Sequence, residues 1–206
     1  MNGERWQHHD LGAGAFLDHA PAFIPAAAGA KMYALLRDEL GWEQREIVLF
    51  GRPVLQPRLV AWGGTLPYRY SGQTLPPRPW TATVAALVAE VNQTLGLSFN
   101  HVLANRYRDG QDSMGMHADA EPELGPDPVV ATLSFGAARK MVIAPRQAGT
   151  GPRHDLLLGP GDLLVMGGTC QRLFRHGIPR QGGQGGADVG ERISLTLRLV
   201  LRPPGG

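Results

Sequence analysis

Two stretches of the sequence carry apolar residues at the three- and four-residue spacing of an amphipathic helix. The first runs from Ala26 to Leu40 and stops at Gly41. The second begins at Thr81, a residue type that caps helices, and ends at Gly96 after a stripe of valine and leucine. Both patterns predict helices that pack one face against a sheet.

Beyond Phe99 the pattern changes to short alternating or β-branched runs separated by glycine and proline. The predicted strands are Val129 to Phe135, Met141 to Ala144, Asp155 to Leu158, Leu163 to Met166, and Arg192 to Val200. The 28 glycines and 17 prolines among 206 residues favour many short strands over long helices. The sequence therefore predicts a mainly β fold with flanking helices, a sandwich or jelly roll, as one domain over residues 1–206.

The last predicted strand has a polar face and an apolar face. Arg192, Ser194, Thr196 and Arg198 alternate with isoleucine and leucine. On its own this pattern favours a polar face that meets water. The alternative is that the two arginines turn inward and hold the two ends of a small dicarboxylate by charge-assisted hydrogen bonds.

Composition and charge add only weak constraints. Of the 20 basic residues, 18 are arginine, but a net charge of +2 is too small to establish nucleic-acid binding. Cys170 is the one cysteine, and the sequence has no secretory signal pattern and no apolar run long enough to span a membrane. We therefore expect a cytoplasmic monomer without membrane association.

Three residues have the types and the spacing of a metal site. His117 and Asp119 are two positions apart, so in an extended segment both side chains point to the same side. His176 lies in a later strand-like region and supplies a third ligand. Two histidines and a carboxylate form the facial triad of non-heme iron(II) oxygenases, whereas zinc more often takes a third histidine or a cysteine. The sequence therefore predicts an iron(II) site.

A second His-x-Asp pattern occurs at His8 to Asp10. It lies in a polar N-terminal stretch for which we predict no strand, and we interpret it as surface. The two copies differ in their surroundings, because several further short motifs precede and follow His117 along the chain.

These segments resemble the AlkB family of iron(II)- and 2-oxoglutarate-dependent dioxygenases, from about Pro57 to Arg198. They are Pro57-Arg58, Tyr68 to Gly72, Asn105 to Gly110, Asp112 to Met116, Glu121 to Gly125, Leu133 to Ala137, Gly161 to Met166, and Arg192 to Arg198. The resemblance implies a double-stranded β-helix, or jelly roll. It also implies that the polar face of the last strand lies inside the barrel.

The resemblance assigns roles to the candidate residues. The implied iron ligands are His117, Asp119 and His176. The implied 2-oxoglutarate contacts are Asn105, Tyr107, Arg192, Arg198 and, where relatives often have an asparagine, Ser194. The implied activity is oxidative demethylation of 1-methyladenine and 3-methylcytosine in DNA and by extension RNA. It consumes dioxygen and 2-oxoglutarate and releases formaldehyde, succinate and carbon dioxide.

A lid at about residues 57–79 is implied to recognise the nucleotide, because arginines and aromatic residues alternate there. Trp62 is expected to stack on the extruded base, Tyr68 and Arg69 to contact the substrate, and Glu121 to lie near the base. For each aromatic residue the alternative is a place in the core. Arg58, Arg69 and Arg78 are the candidates for phosphate contacts.

Three departures from the family pattern affect how far it transfers: Met116 before the first histidine, Ala120 after the aspartate, and Ser194. They bear on base preference, strand preference and cosubstrate affinity. Two other functions remain open at this point: the same chemistry on a protein side chain or a modified transfer RNA, and a non-catalytic nucleic-acid binder. The intact ligands and arginines argue against the non-catalytic binder.

Overall fold

The computed structural model describes residues 5–49, 51–70, 72–183 and 188–201. Its helices are α1 (Ala26–Glu39), α2 (Ala82–Leu95) and the one-turn α3 (Cys170–Leu173), with a 3-10 turn at Pro122–Leu124. Its strands are β1 (Gln7–Gly12), β2 (Ala15–Ala20), β3 (Glu46–Leu49), β4 (Arg52–Leu55), β5 (Leu59–Gly64), β6 (Tyr68–Tyr70), β7 (Gln73–Leu75), β8 (His101–Tyr107), β9 (Met114–His117), β10 (Val130–Gly136), β11 (Arg139–Pro145), β12 (His154–Leu158), β13 (Leu163–Gly168), β14 (Phe174–Ile178) and β15 (Arg192–Arg198). No helix among them is long and apolar enough to cross a membrane.

Two antiparallel sheets form the framework. The larger has seven strands in the order β1-β2-β13-β10-β15-β8-β5, and the smaller has four in the order β12-β11-β14-β9. Apolar side chains from both sheets meet between them, among them Leu17, Ile143 and Met166. This arrangement confirms the predicted mainly β fold, and the strands predicted beyond residue 99 occur within a few residues of the expected bounds.

Both predicted helices are present and pack on the outer face of the larger sheet. The Thr81 side chain accepts a hydrogen bond from the Val84 N–H, and Gly96 closes α2 in the left-handed conformation at φ +64°. Leu36 of α1 and Val91 of α2 are fully buried in the core beneath the helices. The helices thus cover one face of the sheet and leave the other face to the space between the sheets.

Strand β15 crosses the centre of the larger sheet between β10 and β8, and all its residues are buried. Ile193, Leu195 and Leu197 enter the core beneath the helices. Arg192 and Arg198, on the other face, line a cavity between the two sheets. The polar face therefore lies inside the barrel, as the resemblance implied, and the interpretation as a water-facing strand is wrong.

The N-terminal stretch corrects one prediction. His8, His9 and Asp10 lie in β1, which pairs with β2 and extends the larger sheet, so the expectation of no strand there is wrong. The expected surface location holds, because His8 and Asp10 are exposed. The residues therefore lie at the edge of the larger sheet, whereas His117 and His176 are carried by strands of the smaller sheet.

The predicted lid consists of β5 and the small ribbon of β6 and β7. Beneath the ribbon, Tyr68, Leu75, Leu103 and Val200 form a separate apolar cluster. Ser71, part of the Tyr68 to Gly72 motif, lies outside the described residues. The cluster holds the ribbon against the open end of the barrel, beside β8 and the end of β15.

Candidate metal centre and cosubstrate pocket

His117, Asp119 and His176 converge at one end of the space between the sheets. His117 ends β9 and lies directly opposite His176 of β14 in the antiparallel ladder, and Asp119 follows in the loop after β9. One possible ligand atom from each residue lies within 4.8 Å of the other two. No other group of three histidine, cysteine or acidic residues in the described part of the chain meets that criterion.

The two imidazoles are held in the form that binds a metal. His117 Nδ1 donates to the Gly115 carbonyl at 3.0 Å, which leaves Nε2 as the basic nitrogen. Burial, followed by repulsion from His117, lowers the pKa of His176 to about 3. Burial also lowers the pKa of His117. Both rings are therefore neutral near pH 7 and offer a lone pair.

Asp119 is almost completely buried yet remains ionised. Burial alone would raise its pKa, but attraction to Arg198 and to the two imidazoles outweighs burial and lowers the pKa to about 2. Arg198 Nη2 donates to Asp119 Oδ1 at 2.6 Å. The second oxygen, Oδ2, has no hydrogen-bond partner among the described residues and lies 3.7 Å from His176 Nε2. One carboxylate oxygen is thus anchored and the other is directed at the centre.

A cavity extends from the centre along the inner face of the larger sheet. Arg192 stands at the far end of β15 from Arg198 and donates to Ser134 Oγ at 2.9 Å. Its guanidinium carbon lies 5.3 Å from the centre of the Tyr107 ring. Ser194 lies between the two arginines and pairs with Asn105 across β8. The residues predicted to contact 2-oxoglutarate therefore share one wall.

The structure corrects the role of Arg58, for which we expected a phosphate contact. Arg58 is buried, and its Nε donates to Asn105 Oδ1 at 2.8 Å. Asn105 lines the cavity, and its amide oxygen is engaged by Arg58. Arg58 thus orients a residue of the cavity wall from inside the protein.

Several buried polar atoms at the centre and along β15 have no partner within the protein. They are Oδ2 of Asp119, Nε and Nη1 of Arg192, and Nε and Nη1 of Arg198, counted over the described residues. Buried polar groups are normally hydrogen-bonded or bind ions, so this set indicates a cation beside Asp119 and an acidic molecule along β15. Iron(II) and a dicarboxylate such as 2-oxoglutarate fit these donors and acceptors.

Trp62 is packed rather than presented to the cavity. It is 6% exposed on β5, and its ring lies 3.6 Å from the Arg78 guanidinium carbon and 5.1 Å from that of Arg45. Its Nε1 donates to the Pro76 carbonyl at 2.9 Å. Glu43 accepts from both arginines and fixes them in place. Stacking on a base would require Arg78 to leave the ring, so that role stays a prediction.

Tyr68 and Glu121 border the centre on the lid side. Tyr68 is fully buried, and its ring lies 4.6 Å from that of His101 and 5.3 Å from the Arg198 guanidinium carbon. Burial and then repulsion from Asp119 raise the pKa of Glu121. Arg69, by contrast, points outward, 3.9 Å from Glu123. Of the predicted substrate contacts, Arg69 is therefore exposed, Glu121 is partly exposed, and Trp62 and Tyr68 are buried.

Sequence reasoning did not single out one residue that touches the centre. Gln171 of α3 is 1% exposed, and its Oε1 accepts from the Asp119 main-chain N–H at 3.0 Å. Nothing in the spacing of the sequence identifies it, because the contact joins two segments far apart along the chain.

Comparisons with known proteins agree with this site. The family model of the 2OG-Fe(II) oxygenase superfamily matches residues 16–198. Alpha-ketoglutarate-dependent dioxygenase alkB homolog 3 from Bos taurus is 35% identical over 194 residues, which cover 90% of this chain and 66% of that protein. DNA oxidative demethylase ALKBH2 from Mus musculus is 32% identical over 207 residues, covering 95% of this chain and 84% of that protein. The solved structure of OsALKBH1, 17% identical, shares the fold with a TM-score of 0.60 and covers 94% of this chain and 99% of that one.

The matching model and the converged triad place the chain in the 2OG-Fe(II) oxygenase superfamily, with iron(II) and 2-oxoglutarate as its cofactors and dioxygen as co-substrate. Within that superfamily, the chain belongs to the AlkB family. It spans slightly less than two thirds of the alkB homolog 3 relatives, 66% of the protein from Bos taurus and 64% of the one from Rattus norvegicus.

Proposed function

We propose that the protein removes methyl groups from N-alkylated bases, 1-methyladenine and 3-methylcytosine, in DNA and also in RNA. The products would be the unmodified base, formaldehyde, succinate and carbon dioxide. The observation that carries the proposal is the buried triad that opens onto a cavity lined by two arginines with unpartnered donors. The similarity to an alkB homolog 3 dioxygenase and to a DNA oxidative demethylase supports nucleic acid as the substrate.

Different side chains of the site would hold iron(II) and 2-oxoglutarate. His117, Asp119 and His176 would hold iron(II) through two neutral imidazoles and one ionised carboxylate oxygen. Arg192, with Ser134 and Tyr107 beside it, would hold a carboxylate of 2-oxoglutarate. The bound iron and 2-oxoglutarate supply the oxidation of the N-methyl carbon, for which protein side chains have no suitable group.

The protein's own contribution is orientation and the exclusion of water. Arg198 fixes one oxygen of Asp119 and keeps the carboxylate ionised, so the other oxygen would be available to hold the ion. The ligands Asp119 and His176 are only 2% and 4% exposed, which keeps bulk water away from the centre. The open side of the centre is bordered by the lid with Tyr68 and by Glu121.

A base within a duplex stack cannot reach a buried centre, so the substrate must be single-stranded or must extrude its base. Glu121 would then lie near the base, and the exposed Arg69 would contact the phosphate backbone. For Tyr68 and Trp62 to contact the substrate, the lid must first rearrange, because both are buried in the structure.

The proposal is tested by incubation with iron(II), 2-oxoglutarate, ascorbate and oligonucleotides that carry 1-methyladenine or 3-methylcytosine. DNA and RNA, single- and double-stranded, are compared, and mass spectrometry follows the methyl group while succinate is measured in parallel. We expect loss of the methyl group with matching succinate release. His176→Ala should abolish both, and His8→Ala should change neither, since His8 lies on an exposed sheet edge.

The two measurements distinguish the alternatives. Succinate release without loss of any methyl group would contradict the nucleic-acid proposal and indicate another substrate, such as a protein side chain or a modified transfer RNA. Absence of both, with iron(II) and 2-oxoglutarate shown to bind, would indicate a non-catalytic binder.

A further inference from the structure

Gln171 is a buried polar residue next to the metal centre. It lies in the one-turn helix α3 and is 1% exposed, although its amide carries two donors and two acceptor sites. The amide oxygen accepts from the Asp119 N–H at 3.0 Å, and the amide nitrogen reaches Met166 Sδ at 3.7 Å. The strong contact is therefore with the backbone of a metal ligand.

The loop that carries Asp119 has few other attachments. Strand β9 is at the edge of the smaller sheet and ends at His117. In the described ranges, no hydrogen bond between main-chain groups outside helices and strands involves residues 118–120. Among the described residues, Asp119 is thus held by hydrogen bonds with Gln171 at its backbone and with Arg198 at its carboxylate.

Gln171 belongs to the same segment as the third ligand. Helix α3 leads directly into β14, which carries His176. A hydrogen bond from the Asp119 loop to α3 therefore fixes the loop against the segment that supplies His176. Without it, the buried Asp119 N–H would lose its partner and the loop could shift relative to both imidazoles.

We propose that Gln171 is a positioning residue of the metal centre: its amide oxygen holds the Asp119 backbone in a fixed place relative to His176. The inference rests on the triad and does not depend on the substrate. Groups that orient metal ligands typically change metal affinity by about 10–100-fold when they are removed.

The experiment measures Mn(II) binding to the metal-free protein, without turnover. Gln171→Met keeps the length of the side chain and removes the amide oxygen, and we expect it to weaken Mn(II) binding by about 10–100-fold. The matched control is Gln56→Met. Gln56 is also 1% exposed, but its Oε1 has no hydrogen-bond partner in the described part of the chain. The control should bind Mn(II) like the wild type, and thermal unfolding of the metal-free proteins checks that both variants fold.

A purely structural role for Gln171 would lower the melting temperature without selective loss of metal affinity. If folded Gln171→Met bound Mn(II) as tightly as Gln56→Met, the proposal would be overturned. If Gln171→Met did not fold, Gln171→Asn would be used for the same measurement. Asparagine keeps the amide, but its side chain is one methylene shorter, so the oxygen lies farther from the Asp119 N–H. Weakened Mn(II) binding by Gln171→Asn would support the proposal and wild-type affinity would refute it. Because no demethylation is measured, an inactive enzyme could not be mistaken for either result.

Discussion

Two arginines on one face of β15 have different neighbours. Arg198 is bonded to the metal-binding carboxylate, whereas Arg192 donates to a serine hydroxyl and has no acidic partner in the described part of the chain. Burial lowers the pKa of Arg192. For Arg198, burial also acts to lower the pKa, but Asp119, Tyr68 and Glu121 together outweigh burial and raise it. The resemblance placed both arginines on 2-oxoglutarate, and the structure adds a second task for Arg198.

Because the two arginines have different partners, their substitution should affect 2-oxoglutarate and metal binding differently. Arg192→Met should weaken 2-oxoglutarate binding by about 10–100-fold, as expected for loss of hydrogen bonds to a charged group, with Mn(II) affinity unchanged. Arg198→Met should weaken both, because it leaves Asp119 buried without its cation. Titration with Mn(II), followed by 2-oxoglutarate at saturating Mn(II), measures the two affinities. Equal loss of Mn(II) affinity in the two variants would contradict the assignment.

Some residues of the site could be predicted from the sequence and others could not. His117, Asp119 and His176 have a spacing and a chemistry that predict a metal site, and the family resemblance located the arginines. Gln171 carries no such signal, and Arg58, although it lies in a segment that resembles the family, was expected to contact phosphate. Each acts through a contact with a distant segment. The partner of Arg58 is 47 positions away and that of Gln171 is 52 positions away. Only the folded chain shows these contacts.

At the level of elements, prediction succeeded where apolar residues recur regularly or in β-branched runs along the sequence. Helix α2 and the strands β10 to β13 and β15 carry such patterns and were predicted, whereas β8 and β9 were not among the predicted strands. Strand β1 has a single buried residue, Leu11, and its mostly exposed polar sequence lacks the alternation that marks a strand. Its extended conformation comes from pairing with β2, a tertiary contact that the local sequence does not encode.

The start of α2 gives a prediction for a single element. Thr81→Ala removes the side-chain oxygen that accepts the Val84 N–H, and should lower the free energy of unfolding by about 1 kcal/mol. Thr94→Ala is the matched control, since Thr94 is exposed inside the same helix and alanine favours helix there. Urea denaturation measures both. A larger loss for Thr94→Ala would mean that Thr81 does not stabilise the start of the helix.

At the level of the whole molecule, buried neutral histidines make stability depend on pH. Burial, followed by repulsion from Arg198, lowers the pKa of His101 to about 3, against 6.5 for a free side chain. As the pH falls below 6.5 the unfolded chain binds a proton that the folded protein does not, so the free energy of unfolding declines until about pH 3.

Replacement of His101 should reduce that dependence. Both ring nitrogens of His101 lack partners among the residues described, so His101→Phe should be nearly neutral at pH 8. At pH 5 the metal-free variant should be more stable than the wild type by on the order of 2 kcal/mol. Chemical denaturation across this range measures the difference, and parallel curves for the two proteins would refute the explanation.

Metal binding should stabilise the whole fold, because the triad joins β9, the loop after it and β14. Mn(II) at 100 times its dissociation constant should add about 2.7 kcal/mol, or about 5–10 °C in melting temperature. His176→Ala should lose this shift and His8→Ala should keep it. Differential scanning fluorimetry with and without Mn(II) tests the effect, and a shift that survives His176→Ala would place the ion elsewhere.

The hairpin of β1 and β2 forms one edge of the larger sheet. It pairs with β13 and leaves β1 as the outermost strand, where Gln7, His8 and Asp10 are exposed. An outer strand with free peptide groups invites another chain to add to the sheet, and polar or charged side chains discourage that addition. The residues His8 to Asp10, which repeat the His-x-Asp pattern but belong to no group of three possible metal ligands among the described residues, thus place polar side chains of this kind on the open edge of the sheet.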